Sequence, residues 1–217
     1  EALSLWPREE LLADVVWVVR KYRPQVIVSV FSGTPRDGHG QHQAAGLMAR
    51  EAFVAAADPT RFPEQLALGV EAWTPDKLYQ TSRRRFFPGA QDEDDGSIDI
   101  ETGRLDPLLG RSLLQLSMES RSQHRSQDMG AAQPAGPRLT GVILVESRVQ
   151  DSGELFSGVD TTLAGLAAAL PSNVAGEARL HLEAYRTSVH RAIDGFGLDP
   201  AEIVPDLLAA TRHLAAA

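Results

Sequence analysis

The seven residues from Gln25 to Phe31 read Gln-Val-Ile-Val-Ser-Val-Phe. They are short, rich in β-branched side chains and nearly all apolar, as expected of a strand buried within a parallel sheet. The flanks agree. Residues 7–22 carry a broad apolar face (Leu11, Leu12, Val15, Val16, Val18, Val19), with Pro7 at the first turn and Glu9 and Glu10 at the positive end of the helix dipole. Arg23-Pro24 closes that helix. After Phe31 comes a polar, Gly-rich loop, residues 32–40, and then a second helix over about 41–57. Helix, buried strand, loop and helix together specify an open α/β sheet. Ligands of such sheets bind beyond the carboxyl ends of the strands, so the loop after Phe31 is the best-placed segment for chemistry.

Further along, residues 76–82 and 139–146 (Leu-Thr-Gly-Val-Ile-Leu-Val-Glu) read as strands. Residues 87–106 read as irregular and acidic, and 108–127 as a helix. Two prolines and two glycines break the chain over 130–137. From Thr161 onward the spacing is helical, over about 161–170, 173–193 and 200–217. The composition shift near residue 150 divides the chain into an α/β region, 1–150, and a helical C-terminal module, 151–217.

The chain of 217 residues suits one α/β domain with an appendage, and 43% apolar residues suffice for a core. Its 21 basic and 29 acidic residues give a net charge of −8, which argues against binding a nucleic-acid backbone. Arg83-Arg84-Arg85 is too short a run to reverse that and reads as a solvated loop. The run Asp92-Glu93-Asp94-Asp95-Gly96 lacks the alternating ligands and closing Glu of a calcium loop and also reads as solvated. No apolar run reaches the ~20 residues needed to cross a membrane, and no signal peptide is visible. With no Cys, a metal would rest on His and carboxylate. The Ala-rich, Leu-spaced stretch 163–170 leaves self-association open.

The sharpest local feature is Arg36-Asp37-Gly38-His39-Gly40-Gln41-His42. Two His three residues apart share one face if a helix starts there. Neutral imidazole suits zinc, and a nearby Asp can fix a His tautomer. The same pattern also fits a polar loop with surface histidines. His181, His190 and His213 lack neighbouring carboxylates at site-like spacing. Trp6, Trp17 and Trp73 read as packing residues.

The segment from Arg23-Pro24 through Val26–Phe31 to Asp37-Gly38-His39-Gly40-Gln41-His42 resembles the second motif of the LmbE/PIG-L de-N-acetylases, Asp-x-His-Pro-Asp-His at the end of a strand. The resemblance runs from about residue 8 to 146, and His124-Arg125-Ser126-Gln127 is similar to a His-x-Ser-Gln stretch of that family. It implies a Rossmann-like, open, mostly parallel sheet and hydrolysis of an N-acetyl group from an amino sugar or sugar conjugate with Zn2+. By position it implies that His42 binds zinc, that His39 stabilises the oxyanion, that Asp37 is a further catalytic residue, and that Arg36 and His124 contact substrate. Two departures stand out. Gly40-Gln41 replaces Pro-Asp, and the family's first motif, Ala-His-Pro-Asp-Asp-Glu, which supplies two zinc ligands and the general base, does not occur. The chain begins Glu-Ala-Leu, as a processed protein or fragment would, so the remaining ligands are expected upstream. A non-catalytic carbohydrate-binding or scaffold module on the same fold is the alternative expectation.

Overall fold

A computed structural model describes residues 2–82, 96–126, 136–170, 172–197 and 199–217. The chain divides into two compact units, Glu1–Gly158 and Val159–Ala217. Arg83-Arg84-Arg85 and the acidic run 92–95 lie outside the described residues, as does Gln127.

In the first unit, a short helix α1 (Ala2–Leu5) precedes α2 (Arg8–Tyr22), β1 (Val26–Ser29) and α3 (Gly40–Ala55). Then follow α4 (Pro63–Ala67), β2 (Lys77–Thr81), β3 (Ser97–Glu101), the two-residue strands β4 (Leu105–Asp106) and β5 (Arg111–Ser112), α5 (Leu113–Arg121) and β6 (Leu139–Ser147). The main sheet has the order β1-β2-β6-β3. β1 and β2 pair in parallel, from Val26 opposite Lys77 to Ser29 opposite Gln80. β6 runs antiparallel to both β2 and β3. Three of the four strands therefore share a direction, although only one neighbouring pair is parallel. The fold is α/β with a mixed sheet.

The core lies on the α2–α3 side of β1. Leu12, Val16 and Val19 of α2 meet Met48, Ala52 and Ala55 of α3, with Ala56 just beyond that helix, and Ile27 of β1 packs against them. Burial of these side chains is the main local driving force, at about 25 cal/mol per Å2 of apolar surface. On the other face, Val28 and Val30 remain 47% and 37% exposed. A strand expected to be buried on both sides is thus covered on one.

Two buried cations organise this unit. Arg20 of α2 is 1% exposed. Its guanidinium donates to the carbonyls of Ala55, Ala56, Asp58, Arg61 and Phe62 and to Oε1 of Gln65. It thereby ties the end of α3 to the turn before α4 and complements the negative end of the α3 dipole. Burial pulls its pKa below the ordinary guanidinium value, against the fields of Asp58 and Glu64. Lys77, at the start of β2, is fully buried. Its Nζ lies 2.7 Å from Asp151 Oδ1 and 2.9 Å from Ser157 Oγ. Tyr79 hydroxyl donates to the Leu155 carbonyl at 3.0 Å. These contacts fasten residues 151–157 to the sheet, so that stretch belongs with the first unit, whereas the composition shift placed it with the helices.

Other departures from the sequence expectations are local. Residues 97–101, read as irregular, form the edge strand β3, which alternates half-buried and exposed positions. The helix expected from Leu108 begins at Leu113, where Ser112 and Gln115 form a reciprocal cap. The second unit contains α6 (Leu163–Ala168), α7 (Ser172–Asp194) and α8 (Val204–Ala216), the last preceded by a 3-10 turn, Pro200–Ile203. α7 and α8 are joined by an Arg191–Asp206 ion pair of 3.1 Å and bring the rings of His181 and His213 within 5.9 Å. Among the described residues, no helix is long and apolar enough to cross a membrane.

Candidate functional site

β1 and β2 run in parallel, so their carboxyl ends lie together, and the loop after β1 sits over the end of β2. Three side chains stitch them. Thr81 Oγ1 donates to the Val30 carbonyl at 2.6 Å, and Arg36 Nη2 donates to the Thr81 carbonyl at 2.9 Å. Arg50, on α3, donates from Nε to the Ser32 carbonyl at 3.1 Å and from Nη2 to Gln80 Oε1 at 2.7 Å.

Asp37 holds the loop from within. Its two carboxylate oxygens accept from the backbone N–H groups of Ser32 (3.1 Å), Gly33 (2.7 Å) and Thr34 (3.2 Å), and from Ser32 Oγ. The side chain is only 5% exposed. Asp37 therefore orders backbone, and its acceptor capacity is consumed by the turn. The loop also lies directly on α3. A Cβ at Gly46 would fall 2.1 Å from the Gly33 nitrogen, and Gly33 itself has φ +83°. Only glycine fits both roles at this crossing.

That packing delivers the two histidines. His39 is the N-cap of α3, with extended backbone, and its carbonyl receives the His42 N–H at 3.2 Å. His42 falls in the first turn, where its ring stacks on Phe31 at 3.9 Å between centroids and lies 3.7 Å from the His39 ring. His42 Nδ1 is 3.0 Å from the Asp37 carbonyl. A carbonyl oxygen only accepts, so Nδ1 carries the proton, and in the neutral ring Nε2 keeps its lone pair. This is the pattern in which a metal-binding imidazole is oriented by its other nitrogen. His39 is exposed and His42 half-buried.

Arg36 sits in the same loop, tied to β2 by the Thr81 contact. His124 lies elsewhere, exposed at the end of α5, with Nδ1 3.1 Å from the Arg121 carbonyl. Among the described residues no contact joins it to either of the other histidines. Nor does any group of three His, Asp or Glu among them stand close enough to hold a metal. Since a catalytic zinc takes three protein ligands and an open position, His42 fits one ligand position, and the described residues do not complete the set.

Three contributors escaped the sequence reading: Phe31 as the stacking partner, Arg50 as the tie between loop and sheet, and Gly46 as the seat of the loop. Gly46 inside an apolar-periodic helix was the one available signal, since an interior glycine often marks a close approach.

A stretch of 77 residues, 36% of this chain, is 36% identical to a protein of Frankia casuarinae named 1D-myo-inositol 2-acetamido-2-deoxy-alpha-D-glucopyranoside deacetylase 2. The match covers 23% of that protein, so the chain spans less than a quarter of this relative's length. The likeness supports a relationship to deacetylases. No family model matches the chain, and no solved structure matches it.

Proposed function

We propose that this chain carries part of the site of a metal-dependent N-deacetylase acting on an N-acetylated amino sugar or sugar conjugate. The observation that carries the reading is His42, held at the end of a parallel strand with Nδ1 committed to the Asp37 carbonyl and Nε2 left as a ligand. The Frankia likeness supports the reaction class and the amino-sugar substrate. The remaining ligands and the general base then lie outside the described residues. When bound, a zinc ion supplies Lewis acidity and an activated water.

In this reading the chain's own residues do three things. His42 offers a ligand nitrogen fixed in tautomer and orientation. His39, exposed beside it, donates to the oxygen of the acetamide as negative charge develops there. Asp37, Arg36 and Arg50 keep the loop rigid, so that both rings hold position without reorganising during the reaction. Gln41, in place of an Asp, supports His39 only as a neutral hydrogen-bond partner.

The test is acetate release from N-acetylglucosamine conjugates by the protein at its natural length. His39→Ala is expected to lower kcat by about 10²–10³, the range for loss of one oxyanion donor, with KM changed little. A folded His39→Ala variant that keeps full turnover would contradict the assigned role. The second reading, a carbohydrate-binding module without catalysis, is the one that Gln41 in place of an Asp favours. It predicts sugar binding with no acetate release in the wild type.

A further inference from the structure

The second unit holds a cleft of about 370 Å3 between the start of α6 and the middle of α7. Leu163, Ala164 and Leu182 give it an apolar lining, and Leu182 is buried. Arg179, Glu183 and Arg186 line it too and are exposed. The spacing 179, 182, 183 and 186 puts all four side chains of α7 on one helical face. Among the described residues neither Arg179 nor Arg186 has an ion pair or a hydrogen bond, whereas Arg191 on the same helix is engaged by Asp206. The cleft thus carries 2 − 1 = +1 charge in a chain of net −8.

We propose that this cleft binds a small monocarboxylate with an apolar body, the size of a medium-chain fatty acid. The hydrocarbon lies on Leu163, Ala164 and Leu182, and the carboxylate meets the guanidinium of Arg179 or Arg186. A mostly apolar concavity with a few polar groups at its edge is the usual build of a small-molecule site, and guanidinium matches carboxylate with two parallel hydrogen bonds. At about 30 Å3 per water-sized group, the volume holds roughly a dozen non-hydrogen atoms. An eight-carbon acid fits that volume. Glu183 between the two arginines disfavours a dianion, which sets a carboxylate above a phosphate. The site is independent of the proposed deacetylation.

Calorimetric titration of the whole protein with octanoate tests this, with octanol and inorganic phosphate as comparison probes. The expected result is saturable one-site binding of octanoate, weakened at least tenfold in the double variant Arg179→Gln/Arg186→Gln, with octanol and phosphate both weaker. Both arginines are exposed and unpaired, so the variant retains its helical circular dichroism. Ala164→Trp, which fills the cleft, abolishes binding. The proposal is overturned if octanoate does not bind, if octanol or phosphate binds as tightly, or if the arginine variant binds octanoate as the wild type does.

Discussion

At the scale of single residues, the candidate site depends on groups that hold the histidines more than on the histidines alone. Gly46 is the most exacting. Gly46→Ala would drive a methyl group into the backbone of Gly33, which must move because backbone cannot swing aside. The expected loss is about 1–3 kcal/mol, as for overpacking in a close-packed interior, measured by urea denaturation. It comes with displacement of the loop, visible as changed NMR shifts of His39 and His42. A variant as stable as wild type with unmoved His signals would refute the seat assigned to the loop. The histidine pair itself was legible in the sequence, because two His three apart after an apolar strand state both spacing and position. What holds the pair was not. Arg50 lies 18 residues beyond the Ser32 carbonyl it binds, and nothing local to either residue announces that contact. Asp37 was legible as a site residue, but the sequence does not say that its carboxylate is spent on three backbone N–H groups.

At the scale of elements, α2 was readable from its broad apolar face, and β1 and β6 from their β-branched runs. β3 was not, because Asp99 and Glu101 lie on an edge strand whose outer positions face water, and acidic alternation resembles a loop. The start of α5 was missed although Ser112 and Gln115 hold the sequence signature of a capping box. The two buried cations make separate predictions. Arg20→Met removes the donor to five carbonyls between Ala55 and Phe62. Four of them keep a backbone N–H donor, so the expected loss is about 1–3 kcal/mol, from the Arg61 carbonyl and Gln65 Oε1 left without theirs. Thermal and urea unfolding would show it, and a shift under ~1 kcal/mol would mean that water replaces the guanidinium.

The Lys77 fastening is pH-dependent. Hydrogen bonds from Lys77 and Ser157 hold the Asp151 carboxyl below its ordinary range, against a smaller opposing effect of burial. A depressed folded pKa contributes stability above the unfolded value, about 3.9, and that contribution is lost as pH falls through the folded value. Burial lowers the Lys77 pKa, but the Asp151 and Tyr79 hydrogen bonds outweigh it and the net shift is upward. The lysine's contribution is therefore present at neutral pH and fades only as pH rises through its folded value, beyond the usual lysine range. Protection of the 151–158 amides, exchange taken relative to the intrinsic rate at each pH, should fall below about pH 4 in the wild type. In Asp151→Asn protection should already be low at pH 7 and nearly flat over the same acid range. An unchanged acid limb in the variant would dissociate Asp151 from the effect.

At the scale of the whole molecule, the chain is an α/β unit followed by a helical unit, each with its own buried residues. The α/β unit presents the end of one parallel strand pair, a rigid loop and two imidazoles, one with its outer nitrogen unspent. The sequence pointed to a strand covered on both faces, yet Val28 and Val30 face outward. The same end of the sheet presents one imidazole, His42, whose Nδ1 is fixed by a carbonyl, where a catalytic zinc takes three protein ligands. The most direct measurement is zinc content, by elemental analysis, of the protein at its natural length, as wild type and as His42→Ala. About one zinc per wild-type chain is expected, as a catalytic site requires, with its loss in a folded His42→Ala variant. A folded wild type without zinc, or zinc retained in His42→Ala, would contradict it.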